Sequence, residues 1–197
     1  MAHLHTVIAI IWAGFGIYWF AVPAWKQRVS GPNPRPANRV SDRPWARLFH
    51  HALTATAFIF LFVPQTGVGP LHRHFLPASY AVRLIGLAIT IAGLGLAVWA
   101  RQHLAENWSS RVRIRVGHEL IRTGPYARLR HPIYSGVLLG VIGTAIAVGR
   151  WRAIVSVFII LISYCIKARR EDAMLAREFG EAWVEHRRHA GFLLPRL

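Results

Sequence analysis

Five stretches of the chain contain no Asp, Glu, Lys or Arg and are dominated by apolar residues. A helix that crosses a bilayer needs about 20 largely apolar residues, with about 17 as the usual lower limit. The fifth stretch is short, but it is adequate if Arg152 and Lys167 extend their charged ends toward the two interfaces. The pattern predicts an all-α integral membrane protein with about five transmembrane helices. The stretches are residues 1–25, 48–72, 84–100, 133–149 and 153–166.

A different pattern follows Ile166, where charged residues are interspersed with apolar ones. Leu175, Phe179 and Trp183 recur every four residues, which places them on one face of a helix. This spacing predicts a C-terminal cytoplasmic amphipathic helix, with Gly180 as a bend or break. The helix either packs on the core or lies flat on the bilayer, as basic amphipathic helices do.

The charges are few and unevenly distributed. Only 16% of the residues are charged and 54% are hydrophobic, whereas soluble domains carry about 25% charged residues. Twenty of the 24 Lys and Arg residues lie in residues 26–47, 101–131 and 167–197. Cytoplasmic loops carry an excess of Lys and Arg, so we expect an N-out, C-in orientation. The net charge of +16 then implies membrane lipids as partners, and no nucleic acid.

The chain is interpreted as a single domain over residues 1–197, with three N-terminal spans in 1–100 and a core in 101–197. The first helix is expected to be a retained anchor, because its first basic residue is Lys26 and no cleavage pattern follows it. In the fourth span, Gly136 and Gly140 have the spacing that lets two helices approach closely. Close packing is the favoured interpretation, and a glycine-lined ligand space is the alternative.

No metal site is expected. Cys165 is the one cysteine, so neither an internal disulfide nor a cysteine metal site can form. His72 and His74 lie close together, but no Asp, Glu or Cys accompanies them.

The stretch "GPYARLRHPIYSG" at 124–136 combines a turn, charges and tyrosines at the start of an apolar run. Gly-Pro favours a turn, and Pro132 suits the first turn of a helix. Arg130 and His131 therefore precede a helix N-terminus, where unpaired N–H groups favour an anion. An arginine at that end indicates that an anionic ligand group binds there. Tyr126 and Tyr134 serve either the ligand or an ordinary interfacial belt.

The segment "HELIRTGPYARLRHPIYSG", followed after two spans by "EDAMLAREFGEAW", resembles the isoprenylcysteine carboxyl methyltransferase family. That family belongs with the membrane phospholipid methyltransferases, and the resemblance covers about residues 100–197. It departs from the family pattern at Asp172, where a second Glu is expected, and at Trp183 and His186, where tyrosines are expected. These departures bear on the choice of substrate.

The resemblance implies S-adenosylmethionine as the methyl donor, held on the cytoplasmic side. The cofactor-binding residues that it implies are His118, Glu119, Leu120, Ile121, Tyr126, His131, Pro132, Ile133, Tyr134 and Glu171.

The chemistry of the donor fits these residue types. Arg130 and the helix start suit its carboxylate, Glu171 suits its ammonium, and aromatic faces suit its adenine or sulfonium. Glu171 has an alternative partner in Lys167 or Arg170 on its own helix. The candidate catalytic residues are Glu171, Arg130 and His131. An amine acceptor needs a base, for which His131 and Glu171 are the candidates, whereas a carboxylate needs none.

The function expected from these features is methyl transfer to an amphiphilic, membrane-resident acceptor. The acceptor is either a carboxylate of a prenylated-cysteine-like molecule or a lipid headgroup amine, and O-, N- and S-methylation all remain open. One alternative is a sterol-type membrane reductase that uses NADPH, although such chains are expected to have more spans. Another is a non-enzymatic membrane-binding scaffold. The expected location is the bacterial inner membrane, with the site facing the cytoplasm.

Overall fold

The computed structural model of the protein describes residues 2–29, 44–63, 68–104 and 120–196. Over these residues the fold is all-helical and contains no strand, which confirms the predicted class. Two short 3₁₀ turns, Gly69–His72 and Gly124–Ala127, connect longer helices. The helices are α1 (Ala2–Val29), α2 (Pro44–Phe62), α3 (Tyr80–Leu104), α4 (Pro132–Val148), α5 (Trp151–Phe179) and α6 (Glu181–His189).

Three helices in the described part of the chain are long and apolar enough to cross a membrane: α1, α3 and α5. α4 is apolar but shorter, with 17 residues. α2 lies where the second span is predicted, but it ends at Phe62, well short of residue 72. Pro64 accounts for this end, because the residue before a proline is disfavoured in the helical region. The count of five spans and their orientation stay predictions.

The C-terminal amphipathic segment begins within a long helix. α5 runs unbroken from Trp151 to Phe179, because no Gly or Pro interrupts it. The first half of the amphipathic pattern therefore continues the apolar helix beyond Ile166. Gly180 then ends α5 with φ of 48°, a left-handed value that favours glycine. α6 begins at Glu181, so the predicted break at Gly180 is confirmed.

The α3–α4 interface is built from glycines. A Cβ atom on Gly93 would lie 2.4 Å from the Gly140 nitrogen, and one on Gly136 would lie 2.6 Å from the Gly93 carbonyl oxygen. A Cβ on Gly143 would lie 2.4 Å from the Thr90 nitrogen. These distances leave no room for a side chain, so the two backbones touch. The predicted packing role of the glycines is confirmed, and they line no ligand space at this interface.

Two buried arginines join neighbouring helices. Arg101, near the end of α3, donates to the Trp19 carbonyl oxygen of α1 at 2.9 Å and lies over the indole ring. Arg152, at the start of α5, donates to the Leu61 carbonyl oxygen at 2.9 Å and to that of Phe60. The last carbonyl groups of a helix have no partner within it, and Arg152 supplies one at the end of α2. Arg152 is therefore buried within the protein, and its extension toward the membrane interface stays a prediction.

Candidate functional site

The site forms where the chain enters α4. Gly124 has φ of 57° and is followed by Pro125 in the 3₁₀ turn Gly124–Ala127, so the predicted turn is confirmed. His131 is the N-cap of α4 and Pro132 occupies the first turn. A proline at this position loses no helical hydrogen bond. The turn and the proline together fix the chain direction, and they direct Arg130 and His131 toward α5.

Five side chains from α5, from the first turn of α4 and from the two residues before it form a charged cluster. The cluster is defined as Arg130, His131, Tyr134, Glu171 and Asp172. Arg130 forms an ion pair with Asp172. His131 Nε2 lies 2.7 Å from Asp172 Oδ1, and His131 Nδ1 lies 3.5 Å from Glu171 Oε2. The Tyr134 hydroxyl donates to Glu171 Oε1 at 2.5 Å. The imidazole thus bridges the two carboxylates.

The cluster is largely shielded from solvent. His131 is only 5% exposed. Burial by itself lowers the pKa of His131, but hydrogen bonds and charges from Asp172 and Glu171 outweigh it and raise the pKa above its ordinary value. Burial lowers the pKa of Arg130, and the nearby Asp172 carboxylate opposes this. The geometry therefore favours a cationic imidazole between two carboxylates.

Aromatic rings pack against one another and against His131 in the charged cluster. The His131 and Tyr134 rings are stacked with centroids 5.6 Å apart and an interplanar angle of 12°. The Tyr134 ring is 4.9 Å from that of Tyr164 on α5. Phe192 meets the His131 ring edge-on at 5.4 Å. These flat faces give the site apolar surface next to its charges.

Tyr126 borders the same space from the 3₁₀ turn. It is 8% exposed, and its ring lies parallel to that of His103 on α3 with centroids 6.5 Å apart. His103 Nε2 is 2.8 Å from the Thr123 hydroxyl. Burial raises the pKa of Tyr126, and the negative charge of Glu171 raises it further. Tyr126 is therefore held neutral near the acidic side of the cluster.

The C-terminal segment, residues 190–196, covers the entrance to α4. The Arg130 N–H donates to the Gly191 carbonyl oxygen at 2.8 Å, and the Gly191 N–H donates to the Arg128 carbonyl oxygen at 3.0 Å. The Ser135 hydroxyl donates to the Leu193 carbonyl oxygen at 2.7 Å. The Arg130 guanidinium lies 5.1 Å from the Phe192 ring centroid. The segment therefore fixes both the backbone and the side chain of Arg130.

The sequence-predicted residues fall into three groups. Arg130, His131, Tyr134 and Glu171 come together, and Tyr126 lies beside them. On the first turn of α4, Pro132 is buried and Ile133 is half-buried, while Leu120 and Ile121 are half-buried ahead of the 3₁₀ turn. His118 and Glu119 lie outside the described residues.

Glu171 is paired across the α4–α5 interface. Its carboxylate accepts from Tyr134 and faces His131, which differs from the alternative of a partner on its own helix. Lys167 instead places its ammonium 5.3 Å from the Tyr134 ring centroid. Arg130, expected to bind a ligand carboxylate, has Asp172 as a partner, although its buried Nε has no hydrogen-bond partner among the described residues.

The candidate site residues predicted from the sequence omit Asp172, Tyr164 and the C-terminal segment. Asp172 directly follows Glu171, so its proximity to the site is the clearest signal. Tyr164 precedes Glu171 by seven residues, which is two helical turns and the same face. Residues 190–196 carry no pattern that distinguishes them from an ordinary chain end.

Comparisons with known proteins cover the helices that carry this site. The phospholipid methyltransferase family matches residues 82–182, which include α3, α4 and the acidic pair on α5. The chain is also 29% identical over 121 residues to the nickel-cobalt-cadmium resistance protein NccN of Alcaligenes xylosoxydans xylosoxydans. That similarity covers 60% of this chain and 52% of the relative, so the chain spans about half the length of the curated relative that it matches. The family match confirms the resemblance seen in the sequence: the chain belongs to the phospholipid methyltransferase family.

Proposed function

We propose that the protein transfers a methyl group from S-adenosylmethionine to an amphiphilic acceptor that reaches the site from the bilayer. One observation carries the proposal. Arg130, His131 and Tyr134 meet Glu171 and Asp172 across the α4–α5 interface, inside the region that matches the family. Replacing a buried charge network by apolar residues is often neutral or stabilising, so stability alone does not account for it.

The donor set fits the proposed cofactor. Arg130 retains a buried Nε–H without a partner among the described residues, and it lies beside the N-terminus of α4. Both features favour a carboxylate. Glu171 is the candidate for the ammonium group. The faces of Tyr134 and Tyr126 are candidates for the adenine and the cationic sulfur, because cations are attracted to aromatic faces.

The protein contributes alignment and charge. When bound, S-adenosylmethionine supplies an electrophilic methyl group on a positively charged sulfur. Methyl transfer is an in-line displacement, so holding the acceptor and the methyl carbon in line supplies much of the rate. The C-terminal segment fixes Arg130, and α5 fixes Glu171 opposite it. These two elements set the distance between Arg130, the candidate for the cofactor's carboxylate, and Glu171, the candidate for its ammonium group.

The raised pKa of His131 bears on the assignment of a base. A protonated imidazole cannot accept a proton, so His131 in that form holds the two carboxylates in place, and Glu171 is left as the candidate base. A carboxylate acceptor needs no base. An amine acceptor would pass its proton to Glu171, whose Oε1 already accepts from Tyr134.

The proposal extends to the arrangement of the protein in the membrane. Residues 1–197 act as one domain of five spans, with three spans in 1–100 and the cofactor-binding core in 101–197. The N-terminus faces out and the C-terminus faces in, because 20 of the 24 Lys and Arg residues fall in residues 26–47, 101–131 and 167–197, and cytoplasmic loops carry an excess of Lys and Arg. In a bacterial inner membrane the cofactor would then enter from the cytoplasm. The acceptor, a prenylated-cysteine-like carboxylate or a headgroup amine, would enter sideways from the bilayer.

The proposal is tested by titrating the purified full-length protein with S-adenosylhomocysteine and, separately, with NADPH. We expect binding of S-adenosylhomocysteine alone. Incubation with radiolabelled S-adenosylmethionine and a total lipid extract, followed by chromatography, should then give a labelled amphiphile. Binding of NADPH instead would indicate a reductase, and binding of neither compound would overturn the proposal.

A further inference from the structure

A cavity lies near the tyrosines that border the charged cluster. Its volume is about 320 Å³, and it is formed by α2, α5 and one residue of α1. The His50 ring on its wall lies 5.8 Å from the Tyr164 ring, which itself contacts Tyr134. The cavity is therefore separate from the cluster but close to it. Its lining includes Arg47, His50, His51, Ser163, Lys167 and Arg170.

The polar lining of this cavity is entirely basic or neutral. Arg47 comes from α2, and Lys167 and Arg170 come from successive turns of α5. No Asp or Glu is among the described residues that line it. Glu171 follows Arg170 in the chain; its carboxylate accepts from Tyr134 and also interacts electrostatically with Lys167, so Lys167 is shared with the charged cluster. Arg47 and Arg170 remain as two cations with no carboxylate among the described residues of the lining, and they favour an anionic occupant.

The remainder of the lining is apolar. Phe20, Phe49, Leu53 and Ile166 contribute to the wall, and Phe20 and Phe49 are 78% and 46% exposed. The charged and apolar residues therefore suit a molecule with an anionic head and a hydrophobic body. Arginine and lysine recognise phosphate oxygens through charge-assisted hydrogen bonds.

The polar walls are held in position by other contacts. His50 Nδ1 lies 2.7 Å from the Ser163 hydroxyl, which joins α2 to α5. The Arg170 guanidinium lies 5.3 Å from the Trp45 ring centroid. These contacts hold the two helices at the separation that the cavity requires.

We propose that this cavity binds the phosphate of an anionic membrane phospholipid, with the acyl chains along the Phe20 and Phe49 side. The site is distinct from the proposed methyl-transfer site and stands whether or not that activity is confirmed. Near a membrane surface, each Lys or Arg contributes about fivefold in affinity for anionic lipid. The cations of the lining, Arg47 and Arg170 above all, should therefore select phosphatidylglycerol over an uncharged lipid of the same chain length.

The test is native mass spectrometry of the full-length protein in a neutral detergent, titrated with phosphatidylglycerol. We expect the Arg170→Gln and Arg47→Gln variants each to bind about fivefold more weakly. Arg169→Gln is the matched control, because Arg169 is exposed on the same turn and does not line the cavity. Arg47→Gln leaves the Arg170–Trp45 contact in place, so weaker lipid binding by this variant cannot be caused by loss of that contact.

Two further ligands identify what the cavity recognises. Diacylglycerol with the same chains lacks the phosphate and should not bind, and glycerol 3-phosphate lacks the chains and should not displace the lipid at equal concentration. S-adenosylhomocysteine affinity should be unchanged in Arg47→Gln. The proposal is overturned if Arg169→Gln weakens lipid binding as much as Arg170→Gln, if diacylglycerol binds equally well, or if glycerol 3-phosphate alone displaces the lipid.

Discussion

α4 makes two contacts of opposite character with its neighbours. Against α3 it presents glycines, and backbone meets backbone with no charged group between them. Against α5, its first turn and the residues just before it present Arg130, His131 and Tyr134 to a pair of carboxylates. The first contact maximises close packing, whereas the second brings ionisable groups together in a shielded place. A single short helix thus packs closely along one side and carries the proposed binding residues at its N-terminal end.

The two contacts of α4 should contribute differently to stability and to ligand binding. Close packing in a membrane gains van der Waals contact and needs only small residues. Ionisable groups near the membrane are expensive and commonly mark functional positions. Substitutions on the α3 side should therefore affect folding most, and substitutions at the start of α4 or in its α5 partners should affect binding more than folding.

The largest effect is expected for Gly93→Ala at the α3–α4 interface. A Cβ there would lie 2.4 Å from a backbone nitrogen, so the helices must separate. We expect a loss of about 3–5 kcal/mol of stability, typical of severe overpacking, measured as thermal unfolding in detergent. The matched control is Gly95→Ala on the same helix, because nothing lies within 4 Å of its Cβ position. Equal stability of the two variants would contradict the close contact.

The next largest effect is expected for Glu171→Gln. Loss of the carboxylate removes a charged acceptor that faces Tyr134 and His131. We expect S-adenosylhomocysteine affinity to fall about tenfold to a hundredfold, as for hydrogen bonds to charged groups, with a smaller loss of stability than in Gly93→Ala because Asp172 still pairs with His131. Glu178→Gln, at an exposed position later in α5, should leave affinity unchanged. A loss of stability in Glu171→Gln as large as that in Gly93→Ala would show that Glu171 mainly stabilises the fold.

A smaller effect is expected for Tyr134→Phe. The variant keeps the ring that stacks on His131 and loses the hydroxyl that donates to Glu171. We expect affinity for S-adenosylhomocysteine to fall about fivefold to tenfold, close to the value of one hydrogen bond. Tyr80→Phe, on an exposed tyrosine at the start of α3, is the control. If affinity is unchanged in both Tyr134→Phe and Glu171→Gln, the assignment of the site is wrong.

The smallest effect concerns pH. The pKa of His131 in the folded protein lies above its ordinary value of 6.5, owing to Asp172 and Glu171. The stabilisation by the protonated imidazole is therefore fully present below pH 6.5, and it is lost as the pH rises through the folded-state value. Thermal unfolding of the wild type and of His131→Gln, compared over a series of pH values, should show a difference that shrinks as the pH rises. A difference independent of pH would show that His131 acts through packing alone.

Much of the site could be predicted from local signals. Gly-Pro marks the turn, Pro132 marks the helix start, and Arg130 with His131 marks a place for charge. The pairing of charges could not be predicted, because Glu171 lies 37 residues after Tyr134 and either of two residues on its own helix is an equally good local partner. Arg152 shows the same limit, since its carbonyl partners at the end of α2 lie 91 and 92 residues away.

The sequence by itself determined the helical class, the approximate positions of the helices and the family to which the chain belongs. These follow from apolar run length, from glycine and proline, and from short motifs, all of which act over a few residues. Only the tertiary structure decided that the His131 imidazole lies between two carboxylates and that residues 190–196 cover the start of α4. Those contacts depend on how α4 and α5 pack, and packing is set by shape and distance between segments remote in the chain.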